Sequence, residues 1–226
     1  MTIPQIHHQA IRDTQVDQHA TLFEYPLWES AFTDAAQPFL REQCEIIRTV
    51  LGGEVRRKDL VKLYGNENID SATKFIAAMM WGYEAPAGGR RAGYGAHRLC
   101  EMFTDQTAAT AAIEDVAIND LAAIKRSYKR LDGALKKCGP NFFTKHFYFL
   151  GKSLDPERFR LVIFDDRVAT GMIKMQLANA GCLDLVRVSA LRNPEAYIAY
   201  IDYVGREANS IGCKPDQVEY YLFNYE

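Results

Sequence analysis

Gly139-Pro140-Asn141-Phe142-Phe143-Thr144-Lys145-His146-Phe147-Tyr148-Phe149-Leu150-Gly151 is the stretch that decides how this chain is read. Residues 140–151 read as a helix with apolar residues on nearly every side, which is the mark of a buried helix. Lys145 lies inside it. Its neighbours three and four positions away on the same face are Phe142, Tyr148 and Phe149. A lysine in that setting cannot reach water freely unless it lines a cavity. Desolvation there disfavours the ammonium and lowers its pKa, and a neutral amine is a competent nucleophile. The bland alternative is a lysine near the helix end, with its stem packed and its charge in water. The residues alone leave both open.

Helical patterns extend outward from this segment in both directions. Upstream, Pro38 suits a first turn, and PFLREQCEIIRTVL carries helical spacing until Gly52-Gly53. A short helix is predicted from Arg57 to Tyr64, and Asp70-Ser71 offers a cap for SATKFIAAMMWGY. The Gly- and Pro-containing stretch EAPAGGRRAGYG reads as loop, followed by helices near 96–103, 105–117 and 120–137. Downstream come a loop, KSLDPERFR, a short β-branched run, LVIF, and helices near 167–179, 194–210 and 216–224. The expectation is an all-α fold of two closely packed helical subdomains with a cleft between them. It is read as one domain over 1–226, with an N-terminal helical part over about 1–69.

The 226 residues are enough for one sizeable core, and 48% hydrophobic with 25% charged residues argues against disorder. No apolar run is long enough to cross a bilayer, and the N-terminus lacks a signal-peptide pattern. Five scattered cysteines at 44, 100, 138, 182 and 213 form no CxxC pair. They read as reduced core residues of a cytoplasmic protein rather than cluster ligands. His7-His8 has no partner at metal-ligand spacing, so no metal and no cofactor is expected. The net charge of −2 does not announce a nucleic-acid binder, but it says nothing about how the charges are distributed.

Four large apolar residues, Leu161 to Phe164, lead into Asp165-Asp166-Arg167-Val168-Ala169. An aspartate here is a natural helix cap. It could also stay ionised beside the helix N-terminus and face a substrate, where a fixed carboxylate stabilises positive charge building on a sugar.

Taken together, the lysine helix, the variable loop and the Asp-x-Arg-Val-Ala opening of the next helix resemble the helix-hairpin-helix DNA glycosylases. The closest likeness is to the 8-oxoguanine glycosylase branch, and it is strongest over residues 70–226. The resemblance implies a nucleophilic Lys145, aligned through Phe143-Thr144-Lys145, and a catalytic Asp165 supported by Asp166 and Arg167. It also implies a base pocket using Trp81, Tyr94, Phe149, Glu219 and Phe223. The hairpin itself departs from the family pattern. Lys137-Cys138-Gly139-Pro140-Asn141 has one glycine, and Pro140 supplies no amide to a phosphate. A strict hairpin register would put Phe143 or Thr144 at the nucleophile position, leaving Asp165 to activate water.

Such an enzyme flips its target base out of the stack. Phosphate contacts are expected from Arg90, Arg91, Lys136, Lys137, Gly139 and Asn141; other basic pairs, such as Lys125-Arg126, read as solvated helix faces. The expected partner is double-stranded DNA carrying a modified base, bound by a monomer. The leading expectation is excision of glucosylated hydroxymethylcytosine in antiphage defence. The runner-up is an 8-oxoguanine glycosylase with abasic-site lyase activity. A non-catalytic helical DNA-binding module is the rival from another class, and it requires a solvated Lys145 with no cavity between it and Asp165.

Overall fold

Twelve α-helices and one small sheet make up the described residues of the computed structural model, which are 2–32, 37–83, 90–156, 160–175, 177 and 193–225. For residues 90–93 only the backbone is described. In chain order the helices are α1 (His8–Arg12), α2 (Tyr25–Ala31), α3 (Pro38–Leu51), α4 (Arg57–Tyr64), α5 (Ser71–Tyr83) and α6 (Arg90–Met102). They continue with α7 (Gln106–Glu114), α8 (Leu121–Ala134), α9 (Pro140–Leu154), α10 (Asp166–Lys174), α11 (Pro194–Ile211) and α12 (Pro215–Phe223).

Local chemistry accounts for several of these starts. Pro38, Pro140, Pro194 and Pro215 open their helices, where a missing N–H would have had no partner anyway. Asp105, Asp120 and Asn193 cap α7, α8 and α11 through side-chain oxygens that accept first-turn amides. Helix α5 is buried along almost its whole length and packs on α9, α6, α3 and α7. Helix α9 is buried without a break from Phe143 to Phe149, as its aromatic composition requires. The described apolar residues form one continuous cluster from Ile3 to Leu222.

Two features depart from the sequence reading. First, the fold is not purely helical: β1 (Ala20–Leu22) pairs antiparallel with β2 (Glu54–Arg56), with Thr21 opposite Val55. Three-residue strands are too short for an alternating pattern to register. Second, the expected loop EAPAGGRRAGYG is helical from Arg90 onward; its residues 84–89 lie outside the described residues. Gly95 lets α6 approach its neighbours, since a Cβ there would lie 2.6 Å from the Tyr83 Cβ and 2.7 Å from Trp28. That glycine serves packing rather than a turn. The β-branched run 161–164 forms no strand. Side chains take its backbone groups instead: Tyr197 donates to the Val162 carbonyl and Tyr200 to the Ile163 carbonyl, both at 3.0 Å. The hydroxyl of Thr144 accepts the Phe164 amide at 3.2 Å. A buried extended segment must satisfy its polar backbone somewhere, and here α9 and α11 supply the partners.

Candidate active site

A cavity of about 200 Å³ opens where the first turns of α4, α9 and α10 meet the last turns of α5 and α12. Its wall comprises His19 and Thr21 from the N-terminal arm, Arg57 from α4, and Trp81 and Gly82 from α5. Asn141, Phe142 and Lys145 come from α9, then Ile163, Asp165, Asp166 and Arg167, and finally Phe223 from α12.

Lys145 is 5% exposed and faces this cavity rather than bulk water. Its Nζ donates to the carbonyl of Asn141 one turn back and lies 5.4 Å from the centre of the Phe142 ring. The Nζ is 3.7 Å from Oδ2 of Asp165, an ion-pair separation too long for a direct hydrogen bond. Burial pushes the ammonium pKa below its ordinary value; the neighbouring Asp165 works against that shift without cancelling it. The chain beneath the amine passes close to α5. A Cβ on Gly82 would lie 2.8 Å from both Cδ and Cε of Lys145, so only glycine leaves that path open.

Asp165 divides its two oxygens between the start of α10 and Lys145. Oδ1 accepts the amides of Arg167 and Val168, each at 3.1 Å, and so caps α10. Oδ2 is left to face Lys145 across the cavity. The register of the pair comes from Thr144. Its hydroxyl donates to Pro140 O at 2.6 Å, lies 3.3 Å from Phe164 O and accepts the Phe164 amide. The residue before Lys145 is thereby tied to the residue before Asp165. Thr144 is committed to backbone and Phe143 is buried against Tyr128 and Phe147, so of residues 143–145 it is Lys145 that lines the cavity.

The far wall is organised by a buried ion pair. Arg57 and Glu219, with side chains 1% and 0% exposed, join through Nη1–Oε2 at 2.7 Å and Nη2–Oε1 at 3.1 Å. Burial works against the Arg57 charge, and the Glu219 carboxylate more than offsets it, so the guanidinium pKa is raised. The rings of Tyr220, Tyr148 and Trp81 surround Arg57 at 4.8, 5.3 and 5.5 Å. His19 stacks on Tyr220 with ring centres 4.8 Å apart and meets Trp81 edge-on. The small sheet positions it: Arg57 N–H donates to the His19 carbonyl at 3.0 Å, and Arg57 Nε–H to His19 Nδ1 at 3.4 Å.

Of the base-pocket residues expected from sequence, the structure brings Trp81 and Phe223 to the cavity and leaves three elsewhere. Tyr94 is 53% exposed on α6, where its hydroxyl accepts from Arg98. Phe149 is buried behind the wall, edge-on to Trp81 at 5.6 Å. Glu219 does not line the cavity; it is fully buried, and each of its carboxylate oxygens accepts from Arg57. Arg167, expected as support, lies 4.1 Å over the Phe223 ring, and Asp166 lines the cavity beside it.

Among the expected phosphate contacts, Asn141 lines the cavity, while Lys136 and Lys137 are exposed in the α8–α9 turn that ends at Gly139. Lys137 holds that turn with a left-handed φ of 59°. The side chains of Arg90 and Arg91 lie outside the described residues. Lys125 and Arg130 pair on the surface with Glu195 and Asp115, as solvated helix faces do. Arg57 lies in a basic run, Arg56-Arg57-Lys58, yet it is buried. His19, Thr21 and Gly82 carried no sequence signal of their own; only the fold gathers them.

No described helix is long and apolar enough to cross a membrane. Among curated proteins and among solved structures, nothing matches the chain. A family model does match, over residues 14–223, and it therefore takes in His19 and Arg57 as well as the α9 and α10 residues. By that match across nearly its whole length, the chain belongs to the OGG family, described as "Putative 8-oxoguanine DNA glycosylase OGG-like protein".

Proposed function

We propose that this protein is a DNA glycosylase that excises an oxidised purine, with 8-oxoguanine as the reference substrate, and that Lys145 and Asp165 perform the chemistry. The observation that carries the reading is the buried Lys145–Asp165 pair, 3.7 Å apart on the wall of a cavity of about 200 Å³. A desolvated amine paired with a carboxylate on the wall of one cavity favours a catalytic site over a non-catalytic module.

The chemistry follows from the two side chains. The neutral Lys145 amine attacks C1′ of the extruded nucleotide, and the bond from C1′ to the base nitrogen breaks. The electron pair leaves with the base, which takes up one proton of the attacking amine; the other goes to O4′ when the ring opens. Positive charge that develops on the sugar as the bond lengthens is stabilised by Oδ2 of Asp165, held in place because Oδ1 is fixed by α10. Opening of the sugar ring at C1′–O4′ then gives an imine to Lys145, the intermediate of an abasic-site lyase. Trp81 and Phe223 supply aromatic faces for the extruded base, and the α8–α9 turn with Lys136, Lys137, Gly139 and Asn141 serves as the phosphate-holding hairpin.

The substrate choice rests on the family, whose description names 8-oxoguanine. This moves the weight away from the antiphage substrate that the sequence alone had favoured.

The deciding experiment is single-turnover base release from duplexes carrying 8-oxoguanine, uracil, hydroxymethylcytosine or its glucoside, with borohydride present to trap the imine. Wild-type protein is expected to release 8-oxoguanine and to become covalently attached to DNA. Lys145→Gln should abolish trapping, and Asp165→Asn should slow release about 100- to 1,000-fold, the usual effect of losing one fixed electrostatic group. Release without trapping, persisting in Lys145→Gln, would instead assign Asp165 to activating water. Release of the glucosylated base alone would restore the antiphage reading. If neither substitution slows release of any base, the reading is lost.

A further inference from the structure

His19 is the cavity residue whose chemistry the reaction above leaves unused. It sits between the 3₁₀ turn Val16–Gln18 and β1, in a box of aromatic rings: stacked on Tyr220, edge-on to Trp81, and 5.5 Å from Phe223. Its backbone carbonyl and its Nδ1 are both engaged by Arg57, the first through the main-chain amide and the second through Nε–H. Arginine remains protonated and its Nε–H can only donate. Nδ1 must therefore present a lone pair, which in a neutral imidazole puts the proton on Nε2. A proton on Nδ1 would face the Arg57 N–H head-on.

We propose that His19 is a specificity residue, a fixed neutral donor whose Nε2–H reads a hydrogen-bond acceptor, a carbonyl oxygen, on the base held in the cavity. The inference rests on the glycosylase reading and adds to it the edge chemistry of the substrate. The groups that face His19 all favour the neutral form. Burial comes first, then the positive charges of Arg57 on α4, Arg167 on α10 and Lys145 on α9, and together they lower its pKa to about 3. The carboxylates in the same cavity, Asp165 and Asp166, belong to the α10 start, with Asp165 turned to the capped amides and to Lys145. Glu219 is screened from the imidazole by its own bond to Arg57. With Nδ1 taken by Arg57 and the ring on the cavity wall, Nε2–H is the donor that His19 has left for a ligand, and it favours a base that presents an acceptor. An oxidised guanine, with oxygens at both C6 and C8, has that character. Arg57 and Glu219 act through His19 as positioning residues.

Two measurements test this. Nitrogen-15 NMR of the full chain without DNA should find His19 neutral and protonated at Nε2 from about pH 5 to about pH 8, whereas an unperturbed histidine titrates near 6.5. An Nδ1–H tautomer, or ordinary titration, overturns the inference. The second measurement compares base release from duplexes carrying 8-oxoguanine, guanine without the C8 oxygen, and 2-amino-8-oxopurine without the C6 oxygen. His19→Phe keeps the ring and the stack but removes the donor. It should lose about tenfold on 8-oxoguanine and less than about threefold on the base lacking the oxygen that is read, the scale of one neutral hydrogen bond. His19→Gln retains a donor and should recover part of the loss. Equal losses on all three bases, or none, would make His19 a stacking residue only and overturn the inference while the glycosylase reading stands. A wild-type protein that releases none of the bases overturns that reading and this inference with it.

Discussion

Replacing Glu219 by glutamine tests the far wall most directly, because sequence and structure give that residue different jobs. The family pattern put it against the base; the structure places both its oxygens on Arg57, with the two side chains 0% and 1% exposed. Breaking a buried pair from one side leaves an uncompensated charge and costs about 3–5 kcal/mol. The amide retains one acceptor for Arg57, so the lower end, about 3 kcal/mol, is expected for Glu219→Gln. In a chain of this size each kcal/mol moves the midpoint by about 2–4 °C, so Tm should fall by roughly 6–12 °C. Thermal and urea unfolding followed by circular dichroism measure it. The double variant Arg57→Met with Glu219→Leu should regain most of the loss, because apolar side chains can fill the space among Tyr220, Tyr148 and Trp81 without leaving a charge. A Glu219→Gln protein that melts within about 2 °C of wild type, under 1 kcal/mol, yet releases base much more slowly would refute the ion-pair account and return Glu219 to the substrate.

Gly82→Ala should slow base release by up to about 100-fold with little loss of stability, since its Cβ would displace the Lys145 stem rather than backbone, and small misplacements of a reacting group are costly; unchanged single-turnover rates would show that the lysine path is not critical. Borohydride trapping should rise with pH and level off below the usual lysine range, because burial lowers the Lys145 pKa and only the neutral amine attacks. Asp165→Asn removes the charge that opposes this shift, so the trapping profile, though slower, should move to lower pH. Stability should fall as pH drops from about 6.5 toward 3, because His146 is buried neutral with its pKa lowered to about 3 while the unfolded chain still takes up a proton. Its share is about 2 kcal/mol between pH 7.5 and pH 5. Urea midpoints of His146→Phe across that range should show a flatter dependence, and an unchanged slope would rule the residue out as its source. Thr144→Val should lower activity more than stability, since it unties Lys145 from Asp165; thermal melts beside single-turnover rates separate the two effects.

The chemistry-bearing residues of α9 and α10 were legible in the sequence for a local reason. A helix apolar on nearly every side is a buried one, so Lys145 was a candidate for a cavity wall although a solvated charge stayed open, and an aspartate after four apolar residues suits a helix start. Helices α3, α4 and α5 were equally plain, because caps, prolines and 3.6-residue periodicity act within a turn or two of the chain. What tertiary structure alone decided is everything that depends on residues distant in sequence. The pairing of β1 with β2 brings His19 beside Arg57, and Arg57 meets Glu219 across 162 positions of chain. The same long-range packing drew Glu219, Phe149 and Tyr94 away from the pocket and put Gly82 under the lysine. No local pattern records such meetings: a buried charge shows its partner only when the chain has folded around both, and the register of Lys145 with Asp165 rests on one threonine hydroxyl bridging two segments that the sequence presents separately.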